Sequence, residues 1–109
     1  MTNKLDITCF KKALRKGAVA WRKHVLVRLA QRSIKQKDVL AALANGEIIR
    51  EYEDDKPFPS ALFMAHFKGK QIHVVAAYDE SKEQIYIITA YEPSLDIFET
   101  DYRTRRPNG

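Results

Sequence analysis

The hydrophobic pattern of this 109-residue chain changes period once, at Asn45-Gly46, and that change constrains the fold more than any motif does. Before it, apolar residues recur every three or four positions, the spacing of a buried helix stripe. After it, they follow strand-like runs broken by turn residues. Helices first and strands afterwards predict an α+β domain, with N-terminal helices on one face of a roughly four-stranded antiparallel sheet.

The elements follow from local signals. Phe10 and Leu14 stand at i, i+4 spacing and predict a short helix over Asp6 to Lys16, which Gly17 interrupts. Ala18, Trp21, Val25 and Leu29 predict a second helix over Ala18 to Gln31. Ser33 and Gln36 resemble a capping box for a third helix, which buries Val39, Leu40 and Leu43. Asn45-Gly46 closes it with a pair tolerant of positive φ. Strands are expected at Glu47–Tyr52, Ser60–Phe67, Gln71–Tyr78 and Gln84–Tyr91, with a proline-bearing loop at Asp54–Pro59. Residues 93–98 read as irregular or briefly helical, and 101–109 as a polar tail. One domain of 1–109, with its core within about 18–100, suits this length.

Composition then narrows the function classes. No apolar run reaches the roughly 20 residues of a membrane span, and polar residues enter the N-terminal stretch too early for a signal peptide. The single Cys9 excludes an internal disulfide, so a cytoplasmic setting is expected. Cys9 and the three histidines lack zinc-ligand spacing, and no metal or other cofactor is expected. Residues 1–37 hold eleven Lys/Arg against one acid, and residues 38–109 hold eight against thirteen. The halves therefore carry +10 and −5, which sum to the net +5. So basic a half points to a polyanionic partner such as RNA.

Several constellations suit phosphate chemistry. His24, Arg28 and Arg32 lie at i, i+4, i+8, so successive residues turn by only about 40° and share one helix face. Guanidiniums can grip phosphate oxygens beside an imidazole that accepts a proton. The same spacing also fits a boundary histidine with two solvated arginines. Lys23 adds charge beside them. His73 lies mid-strand, and a five-residue turn at Asp79–Glu83 would set it opposite Thr89. Asp55 sits in a loop stiffened by Pro57 and Pro59 and can orient a cation or an imidazole. Tyr91 ends the last strand, where it can stack on a base or serve as packing. Arg103, Arg105 and Arg106 form a C-terminal basic cluster.

The ordered string is more specific than its parts. It runs His24-x3-Arg28-x3-Arg32-x-Ile34, Asp38-Val39, Gly46-Glu47-Ile48-Ile49, Tyr52-x-Asp54-Asp55-Lys56-Pro57-x-Pro59-Ser60, His73-Val74-Val75 and Ile87-Ile88-Thr89-Ala90-Tyr91-x-Pro93. From about Trp21 to Arg106 it resembles a bacterial family long labelled a domain of unknown function, often encoded beside a YgiT-type zinc-finger, helix-turn-helix protein. That arrangement is similar to the MqsR and RelE toxin–antitoxin modules. The resemblance implies a barnase/EndoU/colicin/RelE-like fold and a metal-independent endoribonuclease neutralised by a cognate antitoxin. Ser33 and Ala65 stand where such sequences usually carry Gly, Gln71 where Pro is usual, and Phe98 where Trp is common. His24, Arg28, Asp55, His73, Thr89 and Tyr91 are the motif matches carried over.

The expected reaction is attack of a ribose 2′-hydroxyl on the adjacent phosphorus, which needs a base, an acid and positive charge for the phosphorane. His24 or His73 would serve as base or acid. Arg28, with Arg32 or the Arg103–Arg106 cluster, would neutralise charge, while Tyr91 positions the RNA. The alternative is a non-catalytic module whose basic half docks nucleic acid or an acidic protein.

Overall fold

The computed structural model describes residues 5–67 and 69–93. The expectations for Phe98, for the tail and for Arg103, Arg105 and Arg106 lie outside the described residues. Among these residues the order is α1 (Ile7–Arg15), β1 (Val19–Ala20), α2 (Lys23–Gln31), α3 (Gln36–Asn45), β2 (Glu47–Tyr52), β3 (Ser60–Phe67), β4 (Lys70–Asp79) and β5 (Gln84–Tyr91). The sheet is five-stranded in the order β1-β5-β4-β3-β2. Strands β2 to β5 form the expected antiparallel meander. The two-residue β1 adds a parallel edge, with Val19 opposite Ile85 and Ala20 opposite Tyr86.

All three helices cover one face. Phe10 and Ala13 of α1, Val25 and Leu29 of α2, and Val39, Ala42 and Leu43 of α3 share a core with Phe63, Val74, Ala76, Tyr78, Ile85 and Ile87. Phe10 stacks on Phe63 at 5.1 Å between ring centroids and meets Tyr78 edge-on at 6.1 Å. Such pairs add order 1 kcal/mol beyond the area they bury. Asp6 caps α1 by accepting from the Cys9 amide at 3.1 Å. At the far end of α3, Lys11 donates to the carbonyls of Leu43 and Ala44, supplying acceptors of the last turn with a cation.

Four local expectations are corrected. The helix expected from Ala18 begins instead at Lys23, because Ala18–Ala20 is drawn into pairing with β5; the Ile85 amide donates to the Ala18 carbonyl at 2.9 Å. Trp21 still packs against the core, but from an extended segment. Ser33 caps nothing: it takes φ 55° in the turn that ends α2, and Lys35 holds the N-cap of α3. That left-handed backbone explains why glycine suits position 33. Leu40 is half-buried. Gly46 has φ −77°, so positive φ is not its reason. A Cβ there would press on the Ala42 carbonyl oxygen and lie 2.7 Å from that of Met64, so Gly46 is what lets α3 close onto β3.

Candidate functional site

The sheet face away from the helices carries the candidate chemistry. Directly opposed residues share a face, so the register sets out three rows across it. The first is Tyr52, Ser60, Ala77 and Tyr86; the second is Arg50, Leu62, Val75 and Thr89; the third is Glu47, Met64, His73 and Tyr91. Polar and aromatic groups thus collect along β5, beside α2.

A bulge decides which residues of β5 reach that face. Val75 pairs with Thr89 and Ala76 with Ile87, leaving Ile88 as the extra residue. Ile85 and Ile87 point into the core, and strict alternation would send Thr89 and Tyr91 after them. The bulge reverses the parity, so Ala90 enters the core and Thr89 and Tyr91 share the face away from the helices with Tyr86. The turn also differs from expectation, since Asp79 pairs with Gln84. Together these changes set His73 opposite Tyr91, and Thr89 lies one pair further along, opposite Val75. The His73 and Tyr91 rings lie 5.4 Å apart, with Nδ1 and Oη at 3.4 Å. His73 is fully buried. It therefore holds Tyr91 in place more readily than it can reach a substrate.

Helix α2 forms the neighbouring wall. His24, Arg28 and Lys23 are exposed, and with Arg22, Val27 and Gln31 they line a broad depression on the surface. Arg28 donates to the Gln31 amide oxygen at 3.4 Å. Arg32, just beyond the last turn, behaves differently. Its Nη1 donates to the Ala90 carbonyl at 2.9 Å and to Thr89 Oγ1 at 3.3 Å, tying the end of α2 to β5. The helical spacing that unites His24, Arg28 and Arg32 is thus split in use, with two groups facing solvent and one fastening the helix.

His24 also faces a second space. A cavity of about 310 Å³ is lined by Arg22 and His24 from α2 and its N-cap, by Asp55, Lys56, Pro57 and Phe58 from the loop after β2, and by Ala77, Tyr86, Ile87 and Ile88 from the sheet. Asp55 is fixed within the loop: its Oδ2 accepts from Ser60 Oγ at 2.6 Å and its Oδ1 from the Lys56 amide at 3.0 Å. The Phe58 ring stacks on Tyr86 at 5.6 Å with an interplanar angle of 6°, and the Arg22 guanidinium lies 5.7 Å from the Tyr86 centroid. The structure therefore brings His24 and Asp55 to one cavity and sets Thr89, Tyr91 and His73 further along the same sheet face. Arg22, Phe58 and Tyr86 were not among the residues expected from sequence. The only hint was that Phe58 sits between prolines and Tyr86 occupies an outward position of its strand.

An α+β domain with helices on one face of a mixed sheet, and a histidine-edged cavity beside the other, is the class that fold and site define. The chain belongs to the family described as a domain of unknown function, DUF4258, whose model matches residues 21–92. Neither a curated protein nor a solved structure matches it significantly. The family segment begins at Trp21 and ends at Glu92, so it spans α2, the Asp55–Phe58 loop and β5, every wall of the cavity. Among the described residues, no helix is long and apolar enough to cross a membrane, and no three His, Cys, Asp or Glu side chains are grouped to hold a metal ion.

Proposed function

We propose that this chain is an RNA-cleaving toxin of a toxin–antitoxin pair, and that His24 acts at the cavity between α2, the Asp55–Phe58 loop and β5. The observation that carries the reading is the company His24 keeps. An exposed imidazole borders a cavity that also holds a fixed carboxylate and two cationic groups, with Arg28 one helical turn away. The basic N-terminal half, with eleven Lys/Arg against one acid over residues 1–37, supports a polyanionic substrate.

In this reading His24 takes the proton from a ribose 2′-hydroxyl, and the oxygen attacks the adjacent phosphorus. The bond to the 5′-oxygen breaks, and that oxygen takes a proton from the Lys56 ammonium or from water. Arg22 and Arg28 balance the charge on the phosphorane, and Asp55 orients a neighbouring cation or the imidazole. Arg32 holds α2 at the right distance from β5. Tyr91, seated by His73 and half-buried, positions RNA at the end of β5, and Lys23 draws in its backbone. The products are a 2′,3′-cyclic phosphate and a 5′-hydroxyl. A cognate antitoxin, of the YgiT zinc-finger type, would neutralise the protein by binding it.

Cleavage of a labelled RNA in EDTA tests this. Wild type should cut, and His24→Ala should slow cutting by about 100-fold or more. A wild type that does not cut, or a His24→Ala variant that cuts equally well, refutes it. The broad basic depression favours one other reading, a binding module without catalysis. That reading expects RNA affinity that falls steeply with salt, with no product formed.

A further inference from the structure

The cavity has a wall that phosphate chemistry does not use. Phe58 and Tyr86 line it as a parallel, offset-stacked pair, and Pro57, Ala77, Ile87 and Ile88 complete an apolar surface around them. Its charged groups are Arg22, His24, Asp55 and Lys56. At about 310 Å³ it lies at the small end of the ligand-pocket range of roughly 300–1,000 Å³. That size fits one planar group and excludes a folded peptide or a duplex. Ile88, the bulge residue, is 41% exposed, a large apolar side chain left beside the cavity where burial in the core was one residue away. Tyr86 is further polarised by the Arg22 guanidinium near its ring.

We infer that the Phe58/Tyr86 wall is a stacking site for a single unpaired nucleobase, so that the substrate is single-stranded RNA with one base lodged against this pair. The inference rests on the ribonuclease reading and specifies its substrate. A base that extends this stack leaves its ribose and phosphate at the cavity mouth, where Arg22, Lys56 and His24 supply cations and a proton acceptor. Asp55 is held by Ser60 and the Lys56 amide, and each carboxylate oxygen keeps a lone pair for an N–H on the base edge. A duplex does not offer its bases in this way, so paired RNA is excluded by shape.

The test separates stacking from cleavage. Trinucleotides with one base N between two abasic residues, methylated at every 2′-oxygen, lack the nucleophile and cannot be cut by the proposed route. Their affinity is measured by titration with N as each of the four bases and as an abasic ribose. Wild type should bind at least one base-bearing oligonucleotide about tenfold tighter than the abasic one. Tyr86→Leu, checked for folding by circular dichroism, should reduce that ratio to near one; Phe58→Leu serves if it does not fold. Equal binding of all five by wild type overturns the stacking site but leaves the RNA reading standing. A ratio undiminished in a folded variant also overturns it. Binding of none, by a protein that also fails to cleave RNA, overturns both.

Discussion

Substituting Gly46 by alanine should damage the fold more than its modest size suggests. Two accounts of this glycine give opposite results. If it were needed for left-handed backbone, its φ would be positive, but φ is −77° and ψ 173°, which any residue adopts. The cost must come from space. The added methyl would press on the Ala42 carbonyl oxygen of α3 and lie 2.7 Å from the Met64 carbonyl oxygen of β3. Both obstacles are backbone, so neither can rotate away, and α3 has to lift from the sheet over Val39, Ala42 and Leu43. Overpacking in a rigid core costs about 1–3 kcal/mol, and this geometry belongs at the upper end. For a domain this size, about 3 kcal/mol lowers Tm by roughly 12 °C. Gly17 is the control. Its φ is +76° and nothing lies within 4 Å of a Cβ there, so Gly17→Ala costs only the left-handed conformation, about 1 kcal/mol. Thermal unfolding of both variants, followed by circular dichroism, gives the comparison. A Gly46→Ala variant that melts within about 2 °C of wild type, or above Gly17→Ala, refutes the close-approach argument.

Other perturbations follow from single contacts. Lys11→Met removes the ammonium that reaches the Leu43 and Ala44 carbonyls at 2.5 and 2.7 Å, and urea denaturation should show a loss of about 1–2 kcal/mol. No loss would mean water serves those carbonyls equally well. Asp79 accepts from the Ser81 hydroxyl at 2.7 Å and from the Ser81 and Lys82 amides at 3.0 and 3.3 Å, and these bonds, the hydroxyl's foremost, hold its carboxyl below the usual range. A depressed folded-state pKa means the unfolded chain binds the proton more readily. The stabilisation is therefore present above the unfolded value of about 3.9 and lost as pH falls through the folded one. Asp79→Asn should flatten that acid limb of stability; an unchanged limb would show that Asp79 does not contribute to it.

Much of the fold was legible because its signals are local. The spans expected for Glu47–Tyr52, Ser60–Phe67 and Gln84–Tyr91 match β2, β3 and β5, since prolines, Gly69 and the Asp79–Glu83 turn punctuate alternating apolar runs. What escaped the sequence is non-local. Ala18 and Trp21 fit a helical stripe with Val25 and Leu29, but a parallel pairing some 66 positions away claims Val19 and Ala20 for the sheet. The bulge at Ile88 left no mark in a run of Ile, Thr and Ala, yet it moves Tyr91 opposite His73 and turns Thr89 outward. In the candidate site, His24 and Asp55 stood out as titratable residues in a helix pattern and a stiff loop. Phe58 and Tyr86 did not, because an aromatic in either place reads as packing until the loop and β5 are seen to meet. Arg32 was legible as a cation, whereas its use as a fastening to Ala90 needed the placement of α2 against β5.

The most direct measurement is the chemistry of the cut ends. A single-stranded RNA incubated with the protein in EDTA should yield fragments ending in 2′,3′-cyclic phosphate and beginning with 5′-hydroxyl, and one 2′-deoxy substitution at the cut position should abolish cleavage there. Fragments with 5′-phosphate ends, or undiminished cutting at the deoxy position, would contradict attack by the RNA's own hydroxyl and the role of His24 that depends on it.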